Sequence, residues 1–235
     1  MLKNIIFDFD DTLTDKKTGV CRLVDDYLSL RFPNMSIPGN VDAFKSSLHQ
    51  AREKNTASFL QLANDADFGR NFDPRDFEEF YWKHSQTYFT LRDGVEALIT
   101  RLQHHKYHVG VITDGRVKTQ KRKLKETKID RMIDNIVITD SIAVGMRKPH
   151  RQIIEYYVSQ YHVNVDESVY IGDDPIRDII GMKQLGLKTI WMANDRRWVH
   201  THAQPDWIIH KIPEVYDCLC HDKNFARKDG NKLNP

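Results

Sequence analysis

The chain has 235 residues, with 35 Lys and Arg against 33 Asp and Glu and 40% hydrophobic residues. That length buries a sufficient core without disulfides or a structural metal, and the composition excludes collagen-like, disordered and coiled-coil classes. The net charge of +2 equals the excess in residues 221–235, four basic against two acidic, so no nucleic-acid partner is expected.

The longest apolar runs, such as Ile5-Ile6-Phe7 and Val109-Gly110-Val111-Ile112, fall far short of the roughly 18–20 residues of a membrane span. No membrane partner is expected. Three cysteines, Cys21, Cys218 and Cys220, have no framework or zinc-knuckle spacing and read as reduced thiols. Met1-Leu2-Lys3 leads straight into a strand-like run with no signal region. The expected location is the cytoplasm. The polar tail 221–235 is expected to be disordered.

In chain order, near-continuous apolar runs predict strands over Asn4–Phe9, His108–Thr113, Asn135–Thr139, Ser168–Gly172, Lys188–Met192 and, more weakly, Trp207–Ile209. Runs of that kind suit strands buried on both faces. Helical spacing marks Gly94–His104, with Val95, Leu98, Ile99 and Leu102 on one face, and Pro149–Tyr161, with Ile153, Ile154, Tyr157 and Val158. Strand and helix in alternation predict a parallel sheet covered on both faces.

The exception is the stretch 15–92, which carries amphipathic helices and no strand. Val20–Arg31 is one, Val41–Glu53 behind an Asn40 N-cap is another, and a third starts at Asp73-Pro74 with Asp76 in its first turn. A crossover needs only a dozen or more residues; this stretch is long enough for an inserted helical domain. The aromatic stripe Phe77, Phe80, Tyr81 and His84 reads as its packing face.

In an open α/β sheet, ligands bind at the carboxyl ends of the strands, and four of these runs end in polar clusters. After the first come Asp8-Phe9-Asp10-Asp11-Thr12; on extended chain Asp8 and Asp10 project to one side. Two close carboxylates need a cation between them or a proton on one. The second run ends Thr113-Asp114-Gly115, a hydroxyl and turn amides suited to phosphoryl oxygens. After the third comes Arg147-Lys148-Pro149-His150, with Lys148 just ahead of a helix that Pro149 is expected to open. The fourth ends Gly172-Asp173-Asp174-Pro175-Ile176-Arg177-Asp178, and carboxylates of that kind suit a hard cation such as Mg²⁺.

Singly, each cluster could be an acidic turn, a strand end, a solvated lysine or an acid-rich helix start. Together, in order, they are the parts of a metal-assisted phosphoryl-transfer site. With these motifs the chain resembles the haloacid dehalogenase-like (HAD) superfamily. The resemblance covers about 1–14 and 93–212, including the Leu185-Gly186 turn, and the insert resembles the family's C1 cap by position and size.

The resemblance implies an α/β, Rossmann-like three-layer parallel-sheet core domain, 1–14 and 93–220, with an inserted α-helical cap domain, 15–92. It implies a Mg²⁺-dependent phosphatase working through an aspartyl-phosphate. Asp8 would be the nucleophile, Asp10 the acid and base, Thr113 and the loop at Asp114 and Gly115 the phosphoryl binders, and Lys148 the charge offset. Mg²⁺ would be held by the Asp8 carboxylate, the Asp10 backbone carbonyl and Asp173. Asp178 would orient Lys148 or a metal-bound water, and Asp174 would act beside it or be solvated. Dehalogenases of the superfamily lack an acid two residues after the nucleophile, so Asp10 implies phosphate ester chemistry. The expected substrate is a small phosphorylated metabolite, a sugar phosphate or nucleoside monophosphate. Alternatives are a β-phosphoglucomutase-like mutase and a non-catalytic phosphate sensor. In the family the cap sets substrate identity; Arg116 and the loop 14–19 are candidates here. The oligomeric state, monomer or weak dimer, stays open.

Overall fold

The computed structural model describes residues 2–33, 41–54, 72–200 and 203–221. The expected disorder of the tail falls on residues outside that set from 222 onward, as does the expected Asn40 cap. Contacts divide the chain into two compact units, Met1–Thr14 with Leu91–Pro235, and Asp15–Thr90.

The first unit is built on six strands: β1 Asn4–Phe7, β2 His108–Thr113, β3 Asn135–Ile138, β4 Ser168–Gly172, β5 Lys188–Met192 and β6 Trp207–Ile209. They pair in the order β3-β2-β1-β4-β5-β6, and every pairing is parallel. Alternation on each strand splits the core between two faces. Ile5, Phe7, Val111 and Ile171 pack on one side with Val95, Leu98, Ile99 and Leu102 of helix α4 (Val95–His104). Ile6, Ile112 and Tyr170 pack on the other with Ile153, Ile154 and Tyr157 of helix α6 (Arg151–Tyr161). Helix on sheet on helix is the three-layer Rossmann-like arrangement.

Register sets where the polar residues emerge. Phe7 lies opposite Val111 on β2 and Ile171 on β4, so Asp8, Thr113 and Asp173 leave three adjacent strands at one edge. One expected boundary moves. Helix α6 starts at Arg151 rather than Pro149, and the N-cap is His150, whose ring accepts from the Gln152 amide. Pro149 follows a cis peptide bond from Lys148, and the Lys148 amide donates to the Asp114 carboxylate at 3.0 Å. The Lys148 backbone is thus committed to Asp114, and helical geometry begins only after the His150 cap.

Helix α5 (Val117–Glu126) was not anticipated. It turns Gln120, Lys123 and Leu124 inward and leaves Arg116 at its N-cap, Lys118, Lys121, Arg122 and Lys125 exposed. The near-neutral overall charge thus hides one locally basic face. Helix α7 (Gly181–Gln184) follows the wide helical turn Pro175–Ile180, and α8 (Glu214–His221) ends the described chain.

The second unit contains helices α1 (Lys16–Arg31), α2 (Val41–Lys54) and α3 (Pro74–His84). Each visible start has a physical cause. Asp15 caps α1 by accepting from the Thr18 amide at 3.0 Å, and Asp73 caps α3 through the Arg75 amide at 2.9 Å, with Pro74 in the first turn. Tyr27 and Phe44 each meet Phe72 and Phe77 edge-on, with Phe77 centred 4.9 Å from Tyr27 and 5.3 Å from Phe44. Asp76 joins α3 to α1 through Arg31, both bonds at 2.7 Å, and through the Tyr27 hydroxyl at 2.9 Å. The Arg31 fork holds the Asp76 carboxyl below the usual range. Phe77 is fully buried, so Phe77→Ala is expected to cost about 3–5 kcal/mol, read as a fall in the urea midpoint.

Candidate active site

The site is assembled from four loops of the first unit. The Lys148 ammonium is buried and reaches Asp8 Oδ1 at 2.5 Å, Asp178 Oδ1 at 2.8 Å and the Tyr170 hydroxyl at 3.0 Å. It donates to Asp8 and Tyr170 and forms an ion pair with Asp178. Tyr170, from β4, donates onward to the Ile112 carbonyl at 3.1 Å, which fixes the hydroxyl's direction. Burial alone would lower the Lys148 ammonium's pKa; Asp178 and Asp8 more than reverse that and carry it well above its ordinary value.

The carboxylates of Asp8, Asp173 and Asp178 offer oxygens within 4.8 Å of one another. Burial pushes the Asp8 carboxyl up, Lys148 pulls it down, and Asp178 and Asp173 push it up again, leaving it above the usual range. Asp173 is pushed up to about 7 by burial first, then by Asp178 and Asp11, against the pull of Arg196. Arg196 contacts Asp173 Oδ2 at 2.9 Å. Three acids face one buried ammonium and one part-exposed guanidinium, so the cluster holds more negative charge than its own cations offset. A hard divalent cation fits that donor set.

Asp10 stands outside this triad. Lys123 Nζ lies 2.8 Å from its Oδ1 and 2.7 Å from Oδ2, and Gln120 Nε2 lies 3.0 Å from Oδ2. The same Gln120 nitrogen is 2.7 Å from Thr113 Oγ1 and 2.7 Å from the Asp114 carbonyl. Thr113 accepts there and keeps its own O–H to donate. The turn after Asp8 is held open by Asp11, which has φ 62° and whose carbonyl accepts from Arg92 Nη2 at 3.0 Å and Asn194 Nδ2 at 2.9 Å. Thr12 Oγ1 donates to Asp8 Oδ2 at 3.1 Å.

Other sequence-predicted residues divide by role. Asp178 meets Lys148, as just described, and also accepts from the Asp174 amide at 3.1 Å. Asp174 turns away from the triad: it caps the following turn through the Ile176 and Arg177 amides at 2.9 and 2.8 Å and pairs with the Arg177 side chain at 2.8 Å. The Asp114 carboxylate holds the Lys148 amide and stands 3.5 Å from Arg177. Gly115, at φ 135°, has its amide 3.4 Å from Thr139 Oγ1. Sequence reasoning missed Tyr170, Gln120, Lys123 and Arg196. Gln120 and Lys123 sit at helical spacing behind Thr113, the one signal that could have placed them on its side.

These features define a hydrolase fold with an acidic, lysine-bridged centre at the carboxyl edge of a parallel sheet. Residues 5–192 match the family model for haloacid dehalogenase-like hydrolases. The chain belongs to that family and is an enzyme of the HAD hydrolase class. The glyceraldehyde 3-phosphate phosphatase of Pyrococcus abyssi is 28% identical, over 97% of this chain and 98% of that protein. The pyrimidine 5'-nucleotidase YjjG of Escherichia coli is 27% identical, over 92% and 97%. Among solved structures, YfnB of Bacillus subtilis, determined bound to magnesium, superposes with a TM-score of 0.68 at 23% identity, covering 92% of this chain and 97% of that one. At that identity the superposition speaks for the fold.

Two outcomes follow from the geometry. A Cβ on Gly172 would stand 2.3 Å from the Asp178 Cβ and 2.5 Å from its carboxyl carbon, so only glycine lets Asp178 approach Lys148. Gly172→Ala is expected to cost about 1–3 kcal/mol, with loss of activity beyond the loss of folded protein, measured by denaturation and by assay of the folded fraction. The raised Asp173 carboxyl sets a pH trend in EDTA-treated protein. Between the unfolded value of about 4 and about 7, the folded state keeps a proton that the unfolded chain releases. Stability contributed by this group is therefore lost as pH rises through that window. Asp173→Asn should flatten that part of the melting-temperature profile; an unchanged slope would contradict the assignment.

Proposed function

We propose that the protein is a Mg²⁺-dependent phosphatase of small phosphorylated metabolites, acting through an aspartyl-phosphate on Asp8. The observation that carries the reading is the pairing of Asp8 with buried Lys148 at 2.5 Å while the second carboxylate, Asp10, is held separately by Lys123. A nucleophile and a proton carrier are thus held by separate lysines, which supports dividing attack and proton transfer between them.

In the first half-reaction an Asp8 oxygen attacks phosphorus, the P–O ester bond breaks, and Asp10 gives its proton to the leaving oxygen. In the second, Asp10 takes a proton from water as that water attacks phosphorus. The Asp8–phosphorus bond breaks and inorganic phosphate leaves. Thr113 donates its O–H to a phosphoryl oxygen beside the turn amides at Asp114 and Gly115, and Lys148 offsets the phosphoryl charge. The Asp8 and Asp173 carboxylates and the Asp10 carbonyl are the groups assigned to Mg²⁺, with Asp178 holding Lys148 beside them. The cation's chemistry is to neutralise charge so that a carboxylate can approach an anionic phosphoryl group.

The substrate class follows the relatives, two of which are named as a glyceraldehyde 3-phosphate phosphatase and a pyrimidine 5'-nucleotidase. Sugar phosphates and nucleoside monophosphates are the corresponding candidates. We assign the part of a C1-type cap to the helical unit inserted after β1, and place the protein in the cytoplasm. None of its cysteines is in a disulfide, and no helix among the described residues is long and apolar enough to cross a membrane.

The test is phosphate release from a metabolite panel with Mg²⁺ and with EDTA. Release should require the cation, and Asp8→Asn should lower it on the order of 10³-fold or more. Release that survives both EDTA and Asp8→Asn would sink the proposal.

A further inference from the structure

Helix α5 does more than cover the sheet. Every other turn-facing cation on it points to solvent, yet Lys123 is almost fully buried, and its ammonium spans both oxygens of Asp10 at 2.8 and 2.7 Å. One turn earlier, the Gln120 amide nitrogen lies within hydrogen-bond reach of both Asp10 Oδ2 and Thr113 Oγ1. The Asp114 carbonyl lies 2.7 Å from the same nitrogen, so its two N–H groups serve three acceptors between the ends of β1 and β2.

We propose that Lys123, with Gln120, is a positioning pair for Asp10. Together they fix where its carboxyl stands relative to the Thr113 hydroxyl, so that the leaving oxygen and the bound phosphoryl oxygen meet their partners at one spacing. This deepens the phosphatase reading and rests on it. Neither residue touches substrate in this account. Their contact survives the reaction, because an ammonium can donate to a carboxylate or to the carbonyl oxygen of a carboxyl. In the first half-reaction the Asp8–phosphorus bond forms, the ester P–O bond breaks, and the Asp10 proton moves to the leaving oxygen. Only that last event depends on where Lys123 holds Asp10.

A leaving group that departs without a proton should therefore be indifferent to Lys123. The experiment is single-turnover release of the leaving group, with Mg²⁺ present and the full chain in excess. An alkyl phosphate is compared with 4-nitrophenyl phosphate, whose phenolate departs unaided. Lys123→Met is expected to slow alkyl release about 10²-fold and aryl release less than about 3-fold, with Lys123→Arg recovering most of the alkyl rate. In an Asp10→Asn background, adding Lys123→Met should cost nothing further on either substrate, because a residue acting through another loses its effect once that partner is gone. Circular dichroism and melting curves check the folded state. If Lys123→Met does not fold, Lys123→Gln carries the same test, with a smaller loss, about 10-fold, confined to the alkyl substrate.

Equal slowing of both substrates, or further loss in the Asp10→Asn background, would overturn the positioning role. Wild-type protein that releases neither leaving group, or Asp8→Asn protein that releases both at the wild-type rate, would instead overturn the phosphatase reading itself.

Discussion

The buried ammonium of Lys148 is the contact on which the rest of the site depends. Taking a charge out of water costs several kcal/mol, and the cost is recovered only when geometry and hydrogen bonding are both complete. Here Asp8 from the end of β1 and Tyr170 from within β4 accept hydrogen bonds from the nitrogen, and Asp178 from the turn after β4 pairs with it at 2.8 Å. The loop that carries Lys148 is tied down through its backbone amide by Asp114, from the end of β2. Three strand ends are thereby locked to one lysine. Removing any one acid leaves a buried positive charge less compensated, and removing the lysine leaves three acids facing one another.

That surplus of acid is what the proposed chemistry draws on. Asp8 and Asp173 are both held above the normal carboxylate range, chiefly by burial and by neighbouring acids. Under the proposed reading, a divalent cation would offset that surplus and leave an ionised carboxylate for an incoming phosphoryl group. Asp10 escapes the crowding because α5 supplies it with its own cation. The two aspartates are two positions apart in sequence, yet each is held by a different lysine.

Much of this was legible in the sequence, for a simple reason. Strands buried on both faces read as unbroken apolar runs, so all six were found, and polar residues at their ends stand out against that background. Asp8, Asp10, Thr113, Lys148, Asp173 and Asp178 were visible as strand-end residues before any coordinates. What was not legible depends on direction rather than composition. Lys123 sits in Lys121-Arg122-Lys123-Leu124-Lys125, where nothing in the local chemistry separates the one buried lysine from its solvated neighbours. Tyr170 looked like another strand residue, since only the fold shows its hydroxyl reaching Lys148. Pro149 misled because a proline that suits a helix first turn also suits the loop before one. Asp174 was left between two roles, and its bonds to the Ile176 and Arg177 amides identify it as a cap.

The most direct test of the account is covalent. Protein mixed with Mg²⁺ and a phosphate monoester that it turns over, then quenched in acid and digested, should yield the peptide carrying Asp8 with one added phosphoryl group. The adduct should be removed by hydroxylamine and absent from Asp8→Asn protein. Turnover with no such adduct at any quench time, or an adduct on a different residue, would contradict the assignment of Asp8 as nucleophile.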